Sequence, residues 1–483
     1  MKGGELKSRV AGSVAWSFAE KACTMLLLSC AGIFVVSRLA PEDYGAMAVL
    51  TVLATIALAL VDSGFSQALI RGSEPSQHDY SSVFAFNIAA SIAAYLLLTG
   101  ISPLLARFYD VPELTRIAPV LFLLLPLNAL GVIQNTILAR AFRFDLISKI
   151  VFASSAAGAA VAVVMAITGC GVWSLVAQRV VQMGIKSLLL WIYGNWRPSR
   201  SHDTEPLRRL APFGVRMMAS EMVNTLCTGL PSLVIGSLYS ITDLGYFNQA
   251  QKLKDMPVLS ASQSVQNVTY PALSNINGDE SKFAESCRQM LSTVAFVMFP
   301  LMAGLSAVAH DIFALLGQKW MPTVPYFRVI CLAGLFAPLS AILLNVLKVR
   351  SDGRAVIRAE IVKKLFLIAV LAATLPVGIM AVVCGLVLSA AFELAVNLSA
   401  ARRLCTLSLR AFAGSLLPAA AATAAMYAAV AAVGTFLPLE GTVARLAVQV
   451  ATGAAVYSAI ALLFRMEGAR EILSLLKKVT RGE

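Results

Sequence analysis

The chain has 483 residues, 58% of them hydrophobic and only 13% charged, and its mean hydropathy is +0.77. That composition excludes a soluble globular enzyme and describes a polytopic membrane protein. The formal charge of +13 would suit nucleic acid, but its placement excludes that partner: with the N-terminus inside, roughly 27 Lys and Arg fall in cytoplasmic segments, about 6 on the opposite side and about 6 within helices, a positive-inside pattern.

Roughly fourteen apolar stretches, each near the ~20 residues that cross a ~30 Å hydrocarbon core, predict an all-α fold. They lie at 14–36, 45–62, 83–106, 117–139, 148–168, 171–193, 210–236, 245–268, 288–309, 324–347, 359–377, 379–400, 413–434 and 443–464. The even number places both termini on the cytoplasmic side. Residues 1–10, with Lys2, Lys7 and Arg9, suit the anionic inner membrane surface. The first predicted helix carries one polar stripe, Ser17, Glu20, Lys21 and Thr24, in an apolar background. Those charges, and the lack of a small-residue cleavage site, mark it as a retained helix and not a signal peptide.

Ser37-Arg-Leu-Ala-Pro-Glu-Asp43-Tyr-Gly45 follows as a corner, since Asp as a cap acceptor with Gly close behind suits a tight turn into a new helix. The second helix ends at Asp62-Ser-Gly-Phe-Ser-Gln-Ala-Leu-Ile-Arg71. In the third, Asn87 and Ser91 stand one turn apart, a modest stripe or an interhelical hydrogen-bond contact. In the sixth, Arg179, Gln182 and Lys186 fall at i, i+3 and i+7, which puts a basic stripe on one face, although Lys186 near the helix end is also placed to snorkel. Trp191, Tyr193 and Trp196 form an interfacial belt. Asn195 to Glu205 is the most loop-like stretch and divides the chain into an N-lobe (1–195), a connector (196–209), a C-lobe (210–402) and two further helices with a tail (403–483).

The seventh helix keeps Arg216 and Glu221 inside an apolar run. A charge at bilayer depth costs roughly 2.5–3.5 kcal/mol on insertion scales, so it normally faces a partner or a water-filled cavity. Glu221, Asn224 and Thr228 at i, i+3 and i+7 share one stripe. The first corner is then echoed, a constant 200 positions on, by Ser237-Leu-Tyr-Ser-Ile-Thr-Asp243-Leu-Gly245, which points to a duplication. The eighth helix has the densest polar face of any segment: Asn248, Gln251, Lys252 and Asp255, with Lys254 beside them. Two halves entering from the same side form a parallel repeat. The last two helices are Ala-rich and uncharged, as in an appended packing pair, and Ala469 to Val479 suits an interfacial tail.

The eight cysteines show no C-x-x-C pair and are expected as small buried residues without a metal or redox role. There is no Walker loop, H-E-x-x-H or G-x-S-x-G, and no soluble domain for a nucleotide-sugar site, which excludes an ATP-driven pump and an ordinary glycosyltransferase. The chain reads as no enzyme, with no cofactor.

The motifs at 37–45, 62–71, Asp243-Leu-Gly-Tyr-Phe247 and Tyr270-Pro-Ala-Leu273 together resemble the multidrug/oligosaccharidyl-lipid/polysaccharide exporter superfamily, in its polysaccharide transporter branch of Wzx-type and colanic-acid-exporter-like flippases. The resemblance implies two six-helix lobes around a cavity lined by helices one, two, seven and eight. It implies as substrate a polyprenyl-diphosphate-linked oligosaccharide, moved outward across the cytoplasmic membrane, with a polymerase and a chain-length regulator as partners. Lys21, Arg179, Arg216, Lys252 and Lys254 are then candidates for the anionic substrate. Glu20, Glu221, Asn224, Asn248 and Asp255 are candidate polar or coupling groups, and Asp43, Gly45, Asp243 and Gly245 candidate gate corners. A drug/cation antiporter of the same superfamily, or a membrane polymerase or ligase, stands as the alternative. The first would need an acidic cavity and the second a substantial outer loop.

Overall fold

Backbone polar groups in hydrocarbon have to be satisfied within each segment, and helices do this one segment at a time. The computed structural model describes residues 23–25, 27–71, 75–199, 205–276, 278–351, 353–405, 408–436, 441–464, 466 and 468–470, and among them there is no strand. The helices in chain order are α1 (Cys23–Arg38), α2 (Pro41–Arg71), α3 (Gln77–Phe108), α4 (Leu114–Phe122), α5 (Leu124–Arg140), α6 (Phe144–Ile167), α7 (Trp173–Tyr193), α8 (Glu205–Leu238), α9 (Ile241–Asn275), α10 (Glu280–Ala307), α11 (Ala309–Leu316), α12 (Thr323–Arg350), α13 (Arg354–Thr374), α14 (Ile379–Leu404), α15 (Leu409–Phe436) and α16 (Thr442–Leu463).

Ten spans among the described residues are long and apolar enough to cross a membrane, α4 and α5 counting together as one of them. The other four apolar stretches of the sequence fall on α1, α8, α9 and α13, which are shorter or interrupted by charged and polar residues. The stretch at 117–139 is broken at Leu123. Pro126 lacks an N–H and its ring opposes the carbonyl four residues back, so a new helix starts there with proline in its first turn. The N-terminal helix up to residue 22 and the interfacial tail beyond Arg470 lie outside the described residues.

By its internal contacts the chain divides into two compact units, residues 1–245 and 246–483. In the first, α8 lies along α2. A Cβ built on Gly64 would strike the backbone of Gly214, and one on Gly229 the side chain of Val52, so small residues set this close approach, as is usual where lipid supplies no hydrophobic drive. At the far end of α2, the guanidinium of Arg140 donates to the carbonyls of Leu69 and Ile70, which closes the helix C-terminus. Asp79 is buried. Its carboxylate accepts from the Ser76 N–H at 2.8 Å, the Ser76 hydroxyl accepts from the Asp79 N–H, and Arg209 pairs with the other oxygen at 2.5 Å. This is a capping box with an ion pair added. Trp196 stacks edge-on against Tyr80 and Phe84, and the Ser199 N–H donates to Ser81 at 2.9 Å, so the segment after α7 is held against α3.

In the second unit α12 is the central helix, with Leu339, Ile342, Leu343, Val346 and Leu347 packed on Phe283, Leu291, Leu394 and Leu398. The α15–α16 pair packs on α10 through Met426, Val430 and Tyr457, whose hydroxyl donates to the Phe296 carbonyl at 2.8 Å. Of the cysteines, Cys227, Cys287, Cys331 and Cys405 are buried as expected. Cys23, Cys30, Cys170 and Cys384 are exposed instead, because a chain built for lipid can leave apolar residues on its surface.

Candidate functional site

Four helices of the first unit, α2, α5, α7 and α8, enclose a cavity of about 390 Å³. Its polar wall is made of Thr55, Ser66 and Gln67 on α2, Asn128, Asn135 and Thr136 on α5, Lys186 and Ser187 on α7, and Glu221 and Thr225 on α8. A second cavity of about 200 Å³ adjoins it, sharing Thr55, Leu58, Met183 and Lys186, and adds Thr51, Ser154, Arg179 and Gln182. The spacing of Arg179, Gln182 and Lys186 thus aims all three into this space, and the stripe is a cavity lining.

The amide of Gln182 donates to the Ser155 hydroxyl at 3.0 Å, which pins α7 to α6 beside the smaller cavity. Arg179 is accessible within that cavity and has no hydrogen bond or ion pair among the described residues. Among the described residues, two cationic side chains, Arg179 and Lys186, and one carboxylate, Glu221, line the joined space. Such an interior disfavours a cationic guest and suits an anionic or polyhydroxy one.

Of the α8 stripe, Glu221 lines this cavity. Thr225, at i+4, lines it as well. Asn224 and Thr228 are exposed, the Thr228 hydroxyl donating to the Asn224 carbonyl at 2.8 Å. Arg216 is also exposed, its Nε donating to the Pro212 carbonyl at 2.6 Å, and it lines neither cavity. Lys21 and Glu20 lie outside the described residues. In the second unit, Lys252 is exposed and Asn248 half-buried, while Lys254 pairs with its neighbour Asp255 at 2.6 Å.

The two corners are built alike. The Asp43 carboxylate accepts from the Ala40 N–H at 3.0 Å, and Asp243 accepts from the Ser240 hydroxyl at 2.6 Å and donates its own N–H back to it. Each corner is a helix N-cap with its acidic partner at the third position. They also pack on each other. A Cβ on Gly45 would collide with the Ile241 carbonyl, and one on Gly245 with the Pro41 carbonyl. Residue 45 meets 241 and residue 245 meets 41, the reciprocity of an isologous two-fold contact.

Two polar sets escaped the sequence reading. Asn128 and Asn135 stand at i and i+7 on α5, a spacing that the stripe rule would have flagged. In the second unit the Lys363 ammonium lies 2.5 Å from Glu360 and 3.5 Å from Glu393. Ser340 donates to Glu393 at 3.2 Å, and Asn397 donates to Ser340 at 2.7 Å. Lys363 lies near the start of the predicted span 359–377, and its side chain is only 7% exposed.

Residues 35–325, well over half of the chain, match the family described as polysaccharide biosynthesis protein. The chain belongs to that family. Within this polysaccharide biosynthesis family it is similar to the teichuronic acid biosynthesis protein TuaB of Bacillus subtilis (strain 168), 28% identical over 291 residues that cover 59% of each chain. It is also similar to the succinoglycan biosynthesis transport protein ExoT of Rhizobium meliloti (strain 1021), 27% identical over 336 residues, 68% of this chain and 67% of that one. The match thus spans under two thirds of TuaB. The fold of this family member superposes on that of the lipid II flippase MurJ in an inward closed conformation, with a TM-score of 0.75 at 13% identity, covering 94% of this chain and 98% of that one.

Proposed function

We propose that this chain is a flippase that moves a polyprenyl-diphosphate-linked oligosaccharide repeat unit from the inner to the outer leaflet of the bacterial cytoplasmic membrane, for exopolysaccharide, capsule or O-antigen assembly. The observation that carries this reading is the polar cavity of the first unit, lined among the described residues by two cations and one carboxylate, in a chain of the polysaccharide biosynthesis family with a MurJ-like fold. A drug/cation antiporter would need the opposite balance of charge in that space.

Transport proceeds by alternating access of two six-helix lobes, 1–195 and 210–402, joined by a cytoplasmic connector at 196–209. The corners at 41–45 and 241–245 form the rim that closes the outer side, and their reciprocal packing supports that role. Lys21, Arg216, Lys252 and Lys254 meet the diphosphate at successive positions along the path. A membrane potential negative inside favours outward movement of anionic charge by about 2.3 kcal/mol per charge per 100 mV. A polymerase and a chain-length regulator receive the repeat unit on the outer side.

Deletion of the gene tests this. Lipid-linked repeat units are expected to accumulate in the inner leaflet while polysaccharide export stops, and the intact chain restores export. Undiminished polysaccharide in the deletion strain would reject the reading.

A further inference from the structure

Arg179 sits six residues into α7, about 9 Å along the helix axis at 1.5 Å per residue, within a segment apolar enough to cross the bilayer. A guanidinium at such a depth is normally paired or solvated by a cavity. Here it opens into the smaller cavity with no partner among the described residues. The rest of the wall combines two kinds of chemistry: Leu58, Leu121, Leu124 and Val151 are apolar, while Thr51, Thr55 and Ser154 add hydroxyls, those of Thr55 and Ser154 donating to the carbonyls of Thr51 and Val151 and so left as acceptors.

We infer that the Arg179 pocket seats a carboxylate of the exported saccharide, so that the repeat unit carried by this chain contains an acidic sugar. The inference rests on the flippase reading and deepens it. A planar guanidinium offers two parallel N–H donors that match a carboxylate in a fork. A diphosphate has the same anionic oxygen chemistry, but it carries several charges and no apolar surface. The pocket's cations, Arg179 and Lys186, are set among leucines and a valine, and so apolar a wall is a poor match for that group. A pyranose ring has C–H faces for Leu121, Leu124 and Val151 and hydroxyl edges for Thr51, Thr55 and Ser154. Lys186 stands at the junction with the larger cavity, where Asn128, Asn135 and Gln67 offer amides to the next sugar. Among the described residues the one carboxylate, Glu221, is on the larger cavity's wall and does not line the Arg179 pocket.

The test uses the full chain in lipid nanodiscs with three probes: trigalacturonate, maltotriose and inorganic pyrophosphate, at fixed ionic strength. Trigalacturonate is expected to bind at least tenfold tighter than maltotriose, without displacement by an equal concentration of pyrophosphate. Arg179→Gln removes that preference, so that the two sugars bind alike. Arg179→Lys, which keeps the charge and loses the fork, retains part of it and guards against a folding loss in the first variant. Equal binding of the two sugars, no saccharide binding at all, a full preference in Arg179→Gln, or competition by pyrophosphate would each overturn the inference. The deletion strain separates the two levels. If the intact chain restores export and the acidic preference is absent, this inference fails alone; if it restores nothing, the flippase reading fails with it.

Discussion

The hydroxyl of Thr242 donates a hydrogen bond of 2.9 Å to the carboxylate of Glu42, 200 positions earlier in the chain. It lies beside the reciprocal contacts of Gly45 with Ile241 and of Gly245 with Pro41, so the repeat seen in sequence is also a contact in space. If this rim opens in each cycle, cysteines at Glu42 and Thr242 will crosslink in the closed state and stop export, with activity returning on reduction. Full export by quantitatively crosslinked protein would exclude rim opening as an obligatory step.

The glycines make that contact possible, so Gly45→Ala and Gly245→Ala are each expected to weaken the closed corner by about 1–3 kcal/mol, the usual cost of overpacking. The readout is a lower yield of the Glu42–Thr242 crosslink. Gly100→Ala in α3, where nothing lies within 4 Å of the new methyl, should leave the yield unchanged and slightly favour the helix.

Much of this was legible in the sequence, and the reasons differ by residue. Helix spans follow from apolar length, and the two corners from Asp and Gly at one spacing. The face of a helix is harder to read. Arg179, Gln182 and Lys186 keep to one cavity because α7 is apolar around them and unbroken by proline, whereas α8 is polar on several sides, and of its stripe Glu221 shares this cavity's wall with Thr225 at i+4. Lys363 was hidden for another reason. Of its two partners, Glu360 lies one turn back on α13 and Glu393 comes from α14, and the Glu360 spacing alone does not distinguish a buried lysine there from a snorkelling one.

That lysine gives a stability prediction. Lys363→Ala leaves Glu360 and Glu393 without their cation, and because those carboxylates are 41% and 46% exposed the loss is about 1 kcal/mol. Thermal unfolding of the purified protein should show a small loss. The combined change of Lys363→Met, Glu360→Gln and Glu393→Gln should recover most of it, and a triple variant less stable than the single one would contradict the ion-pair account.

Topology offers a separate check. Cys170 is exposed at the turn between α6 and α7, which the positive-inside pattern places on the outer side. An impermeant maleimide should label it in intact cells, while a cysteine placed at Ser201 should react only after permeabilisation. The reverse pattern would invert the orientation proposed here.

The most direct measurement is leaflet transfer itself. The purified chain is reconstituted into liposomes holding a polyprenyl-diphosphate oligosaccharide in both leaflets, and the fraction open to an external glycosidase is followed in time. A flippase predicts that the protected inner-leaflet pool becomes accessible, faster with the intact chain than with Arg179→Gln when the saccharide is acidic. Protection that persists as in protein-free liposomes, with correctly folded protein present, would contradict the account.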